Sequence, residues 1–413
     1  LDTLDLSLYL HIPFCTEKCD YCDFYSVPIN SLGSSAEQDL FLTRYAEALL
    51  FETERRLKET VSENRMPVFV PSLYIGGGTP SLLGEKRIVR LLECLKNIVG
   101  IPEEITIEAN PETTVPSFLQ SCADHGVTRL SLGIQSFNKT VLKAAGRQGY
   151  LLSCTNEQED NIAIDNLLNN AKTIFGQGLS LDLMSGLPGQ NINILLKDIE
   201  KALSYEPGHI SLYALTVEEG TPLALRSKNN KTGKDQNKKI TLKENSDDLW
   251  LSGRDALKKA GYEHYEISNF ARSSACRSIH NIRYWRMNNW LGIGPAASGT
   301  IINSNGTGRR ISYSTDIDKF INAVQNNDCP PVVIEDLERN TLLKETLLMG
   351  FRYCEGPDPV LFVQRLGKTI EEVIPRTLFK WQKKIGTQSI QETIMNYLNL
   401  FLLDAFMELE KNN

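Results

Sequence analysis

An α/β fold, a parallel barrel followed by a smaller and mostly helical region, is what this sequence predicts, on three observations. Six short apolar, β-branched runs recur through the first 216 residues, helix-length segments separate them, and each run ends in glycines or polar residues. Strands alternating with helices make βαβ units and hence a parallel sheet. Near-continuous apolar strands suit a sheet covered on both faces. Six such units in a row predict a (β/α)6 barrel, open or closed.

The strands read in order as SLYLHI (7–12), FVPSLYIGGG (69–78), EITIEAN (104–110), RLSLGIQ (129–135), LSLDLMSGLP (179–188) and HISLYALT (209–216). Between the first two, residues 39–59 carry apolar side chains at helical spacing, and 86–100 do the same after the second. In such barrels the reaction site lies at the C-terminal mouth. His11, Gly76 to Gly78, Glu108, Gln135, Asp182 and Thr216 are then expected around one bowl. The barrel is assigned to residues 1–225. A Lys- and Asn-rich stretch, 226–248, reads as a linker or insertion loop with no binding role. A helix then opens a barrel extension over 249–329, and a helical C-terminal domain occupies 330–413.

The chain has 413 residues, a net charge of -7 and 41% hydrophobic residues. That balance fits a globular protein and argues against a general nucleic-acid binder, which needs clustered Lys and Arg. No apolar stretch reaches the roughly 20 residues of a spanning helix. The sequence starts at Leu1 without an initiator Met or signal-like segment. The expectation is a cytoplasmic protein, or an organelle-matrix one if a presequence has been removed.

Three of the nine cysteines, Cys15, Cys19 and Cys22, fall within eight positions directly after the first strand; the other six are scattered singly. The scattered six read as buried thiols of a reducing compartment, because a disulfide framework would be short, dense and even in count. For the three, zinc is one alternative, with His11 as the fourth ligand, but structural zinc usually takes two ligand pairs. An iron–sulfur cubane explains the count better, since three thiolates leave one iron open.

The Cys-x3-Cys-x2-Cys loop resembles that of the radical S-adenosylmethionine superfamily. The resemblance implies a partial, TIM-like (β/α)6 radical-SAM barrel, a 4Fe–4S cluster on the three cysteines, and S-adenosylmethionine chelating the open iron. It also implies the cofactor contacts. YIGGGTPSLL supplies Gly77, Gly78 and Thr79 near the methionine amine, where a missing Cβ lets the backbone approach. Glu108, Gln135 and Asp182 supply acceptors for the amine and ribose, and Arg147 the partner of the methionine carboxylate. Tyr9 and Ala214 fall at further contact positions.

HIPFC, GGGTPS, IEANPE, SLGIQSF, DLMSGLPGQ and YEISNFAR together are similar to one branch of that superfamily. It contains oxygen-independent coproporphyrinogen III dehydrogenase and a haem chaperone. The dehydrogenase carries another cysteine two residues after the triad, where this chain has Asp23 and Phe24. It also has a longer segment before its first strand. HNIRYW (280–285) matches the chaperone's His-Asn-x-x-Tyr-Trp. The resemblance therefore implies a haem chaperone, with His280 as the axial ligand and Tyr284 and Trp285 walling the macrocycle; Cys276, close to His280 in the sequence, reads as a weaker haem contact. Haem would pass to a respiratory acceptor protein, and an electron donor such as a flavodoxin or ferredoxin would serve the cluster. Radical decarboxylation of coproporphyrinogen III is the alternative, doubtful without the extra cysteine. His209 and His264 read as structural. Ala297 stands where relatives usually have histidine, and 148–160 and the tail after 380 depart from the branch pattern.

Overall fold

The computed structural model describes residues 3–147, 157–231, 246–383 and 390–412. Its centre is a run of parallel strands in sequence order: β1 (Leu4–Ile12), β2 (Ser72–Gly77), β3 (Glu104–Ala109), β4 (Arg129–Gln135), β5 (Leu179–Ser185) and β6 (His209–Ala214). All six predicted strands are present. Antiparallel β7 (Asn269–Ala271) continues the sheet beyond β6. On the other side β1 pairs in parallel with β8 (Asn289–Ile293), a seventh parallel strand that the sequence reading did not single out. Antiparallel strands β9 (Ser298–Ile302), β10 (Gly308–Tyr313) and β11 (Val332–Leu337) extend that edge.

The strands are less uniformly apolar than expected: buried leucines and isoleucines on one face alternate with polar or small residues such as Ser7, Ser131, Ser180 and Ser211 on the other. Leu6, Leu8, Leu10 and Ile12 on β1 and Ile107, Leu132, Leu181 and Leu212 on its neighbours have no solvent exposure. Each such side chain contributes about 1.5–3 kcal/mol on burial. The covering helices are α1 (Ser35–Asn64), α2 (Glu85–Val99), α3 (Pro116–Asp124), α4 (Lys139–Ala144), α5 (Glu157–Phe175) and α6 (Ile192–Ser204). α1 starts at a capping box in which the Ser34 N–H donates to Glu37 Oε2 at 2.7 Å.

After β6 the chain departs from the expected loop. α7 runs Pro222–Lys231, so residues 226–231 are helical, and 232–245 lie outside the described residues. Leu223 is buried and its N–H donates to the Asp20 carbonyl, while Arg226 pairs with the Asp20 carboxylate. Contact with the cysteine loop, which local composition does not show, thus fixes this end of the polar stretch. α8 (Ser246–Lys259) returns the chain to the barrel wall, with Trp250 Nε1 donating to the Leu212 carbonyl at 2.9 Å.

α9 (Ile279–Trp285) closes the barrel at the N-terminal ends of the strands. Glu104, at the start of β3, accepts from the N–H groups of Ile279 and His280, both at 2.9 Å. Arg283 donates to Ser7 Oγ at 2.6 Å and pairs with Asp5. The C-terminal part, from α10 (Ile317–Gln325) and α11 (Arg339–Gly350) onward, is mostly helical. α10 packs into the barrel core through Ile317, Phe320, Ile321 and Val324, whereas the helices from α11 onward have their own core around Phe351, Phe362, Trp381 and Phe401. Residues 148–156, with Cys154, and 384–389 lie outside the described residues, so the departures noted there have no structural account.

Candidate functional site

A cavity of about 380 Å³ opens at the C-terminal ends of the parallel strands, and the cysteine loop forms one wall of it. Cys15, Cys19 and Cys22 all line it and all are free thiols. β1 delivers the loop. Phe14 is fully buried beneath it and packs edge-on against Tyr45, with centroids 4.9 Å apart. The Asp20 N–H donates to the Ala145 carbonyl and the Cys22 N–H to the Cys19 carbonyl, folding the loop back across the mouth.

Burial raises the Cys15 thiol and pushes that of Cys22 up to about 11. Without a cation both are neutral. A metal cluster supplies the positive charge that deprotonates its thiol ligands. Among the described residues no three His, Cys, Asp or Glu side chains converge as ligands of a single ion would. His11 is already engaged. Its Nδ1 meets the Tyr9 hydroxyl at 2.9 Å and its Nε2 the Tyr25 carbonyl at 3.2 Å, and burial lowers its pKa to about 4. It stands apart from the cavity, unlike the other five polar strand endings expected there.

The residues expected to meet S-adenosylmethionine gather around the same space. Gly77, Gly78, Glu108, Gln135, Arg147, Asp182 and Ala214 line it. Tyr9 and Thr79 sit just behind: Thr79 is buried with its hydroxyl 3.6 Å from Cys15 Sγ. At Gly78 the backbone passes so near the loop that a Cβ would lie 2.5 Å from the Phe14 carbonyl oxygen and 3.0 Å from Cys15 Sγ. Only glycine fits there without moving the cysteine loop.

Gln135 has a left-handed backbone, φ 65°, at a bulge where β4 leaves β5. Asp198 of α6 fixes the turn that follows, accepting from Ser136 Oγ at 2.6 Å and the Phe137 N–H at 2.8 Å. The fold thereby stabilises a conformation that glutamine ordinarily avoids. Arg147 donates to the Gly133 carbonyl at 2.7 Å and lies 3.7 Å from Glu112. Burial raises the pKa of Glu108 to about 7, and it also raises that of Asp182. Asp182 accepts hydrogen bonds from Ser131, at Oδ2, and from Ser211, whereas Glu112 Oε2 has no hydrogen-bond partner among the described residues. The donor set fits the implied cofactor: three thiols for the cluster, a bare backbone approach, and carboxylate oxygens with acceptor capacity to spare.

Sequence reasoning missed Tyr21, Asn110, Glu112, Ser131, Met184, Tyr213 and Glu218, which also line the cavity. Asn110 and Glu112 lie within the quoted IEANPE motif and could have been read from it, and Tyr21 lies inside the cysteine loop. Ser131 and Tyr213 required the strand register.

His280 is not brought to this cavity. It lies on α9 beneath the strands, 1% exposed, with Nδ1 3.0 Å from Ser72 Oγ and Nε2 without a partner among the described residues. Burial lowers its pKa to about 3, so the imidazole is neutral at physiological pH. Tyr284 packs edge-on against it and Cys276 is buried nearby, donating to Gln177 Oε1. His209 bridges Ser180 and Tyr265 in the interior.

The radical SAM superfamily model matches residues 9–202. The chain is 34% identical over 320 residues to the heme chaperone HemW of Buchnera aphidicola subsp. Schizaphis graminum, covering 77% of this chain and 76% of that one. It is 35% identical to HemW of Haemophilus influenzae over 313 residues, 74% of this chain and 73% of that one. To the mouse protein called radical S-adenosyl methionine domain-containing protein 1, mitochondrial, it is 33% identical over 360 residues, 85% and 74% of the two chains. Among solved structures, coproporphyrinogen III oxidase (HemN) from Escherichia coli shares the fold. Its TM-score is 0.74 at 20% identity, covering 100% of this chain and 91% of that one.

Proposed function

Because the chain belongs to the radical SAM superfamily, in the branch of the heme chaperone HemW, we propose that it binds haem and hands it to an acceptor protein. In this reading Cys15, Cys19 and Cys22 hold a 4Fe–4S cluster and S-adenosylmethionine fills the cavity beside it. The cluster, when bound, supplies a reducing electron and an open iron. The chain's own residues orient the cofactor. Gly77, Gly78, Thr79 and Glu108 would hold its methionine end, Arg147 would pair with its carboxylate, and Gln135, Asp182 and Ala214 would contact the nucleoside.

One observation carries the choice between chaperone and decarboxylase. Phe24, 67% exposed at the cavity rim, stands where the dehydrogenase would have its extra cysteine. The acceptor and the electron donor, of flavodoxin or ferredoxin type, are partners in this reading, and the site of action is the cytoplasm or an organelle matrix. No helix among the described residues is long and apolar enough to cross a membrane.

His280 is the proposed axial ligand. It is neutral, as an iron ligand must be, and its Nε2 is uncommitted. It is also sealed under the barrel, so haem reaches it only when α9 swings away from Glu104 and Ser72. A spectroscopic titration of the anaerobically reconstituted protein tests the reading. Stoichiometric haem binding is expected, lost in His280→Ala, with no protoporphyrinogen formed from coproporphyrinogen, S-adenosylmethionine and reductant. Robust protoporphyrinogen formation would overturn it in favour of the decarboxylase.

A further inference from the structure

One side chain joins the barrel floor to the cofactor cavity. Tyr74 stands on β2 between them. Its ring packs on the His280 ring with centroids 5.0 Å apart, and its hydroxyl donates to Glu108 Oε1 at 2.6 Å. Glu108 Oε2 accepts from the Gly77 N–H at 3.0 Å. Both oxygens of a carboxylate that faces the cavity are therefore tied to β2, one of them through a ring that rests on α9.

We infer that Tyr74 is a positioning residue: it holds the Glu108 carboxylate toward the cofactor and transmits the docked or undocked state of α9 to it. The inference deepens the reading of this cavity as an S-adenosylmethionine site and rests on it.

Electrostatics explain why the hydroxyl matters. Burial, aided by Asp182 on β5, raises the Glu108 carboxyl, the hydrogen bonds from Tyr74 and Gly77 oppose that rise, and the balance leaves it at about 7. The other titratable groups facing it are Tyr9 on β1 and Tyr213 on β6, whose own ionisation it opposes. The influences that keep this carboxylate ionised are hydrogen bonds. If α9 leaves the floor, Tyr74 loses the ring it rests on, and Glu108 loses a fixed donor and protonates more readily. A protonated Glu108 is a poor acceptor for the cofactor's amine. Coupling free energies are reciprocal, so a ligand that draws His280 off the floor and S-adenosylmethionine in the cavity weaken each other.

Tyr74→Phe keeps the ring against His280 and removes only the hydroxyl. Equilibrium dialysis of S-adenosylmethionine against the iron-loaded protein, across pH about 6 to 9 around the shifted carboxyl, reads the effect. Native affinity is expected to fall as pH drops through about 7, because Glu108 is then protonated. In Tyr74→Phe the affinity at neutral pH falls about tenfold, the loss of one charge-assisted hydrogen bond, and the midpoint moves to higher pH. In Glu108→Gln the pH dependence flattens, and adding Tyr74→Phe changes nothing more. A purely structural role would lower the unfolding temperature without moving the midpoint. An unchanged midpoint and affinity in Tyr74→Phe, or an unchanged pH profile in Glu108→Gln, overturns the inference alone. Failure of the iron-loaded native protein to bind S-adenosylmethionine overturns the cofactor reading and the inference with it.

Discussion

Replacing Cys22 by serine is expected to abolish the iron–sulfur chromophore and S-adenosylmethionine binding while the chain stays folded. The fold loses little, because Cys22 is half-buried on a loop at the mouth and outside the barrel core. The cluster loses a corner, because a serine hydroxyl is a harder and far less acidic ligand than a thiol. Two remaining thiolates cannot hold three irons of a cubane. Iron and acid-labile sulfide should fall from about four each per chain to below one, with the far-ultraviolet circular dichroism unchanged. Cys15→Ser and Cys19→Ser should behave alike, whereas Cys94→Ser, on α2, should keep the full complement. Full iron content in Cys22→Ser would contradict the assignment of the triad.

Truncating Glu104 to alanine is the second large effect. This side chain, 6% exposed at the start of β3, accepts from two backbone N–H groups of α9 and, at 3.3 Å, from Ser278 Oγ. Its removal leaves those donors unpaired in the interior, at about 1–3 kcal/mol for each buried group. A loss of about 3–5 kcal/mol in denaturant unfolding is expected, on the scale of other broken buried networks. Amide exchange across residues 279–285 should accelerate more than elsewhere, since α9 is held there. Glu104→Gln, which keeps an acceptor oxygen, should recover part of the loss. A cost below about 1 kcal/mol would show that α9 is held by its other contacts.

Much of the barrel was legible because every strand carries a row of buried apolar side chains, and the βα rhythm announces them. β8 was not legible: NWLGI is short, and its place beside β1 depends on a partner more than 270 residues earlier. The helical start of the polar stretch was hidden for a similar reason, since Leu223 and Arg226 owe their order to Asp20 in the cysteine loop. Around the cavity the sequence identified residues at strand ends, where register places them automatically. It did not reveal Asp198, which acts one step away through Ser136, or Tyr74, whose partners come from β3 and α9. His280 shows the limit most clearly. A motif displays residue types but not which end of the barrel they occupy, and only the structure shows the imidazole below the strands with the cysteines above.

The central claim is that three cysteines hold a cluster whose open iron belongs to S-adenosylmethionine. Electron paramagnetic resonance of the reconstituted, reduced protein tests it most directly. The account predicts a reduced 4Fe–4S signal whose g values shift when S-adenosylmethionine is added, and no shift in the Cys22→Ser protein. A reduced cluster whose signal is indifferent to S-adenosylmethionine would contradict it, as would a protein that retains zinc and takes up no iron.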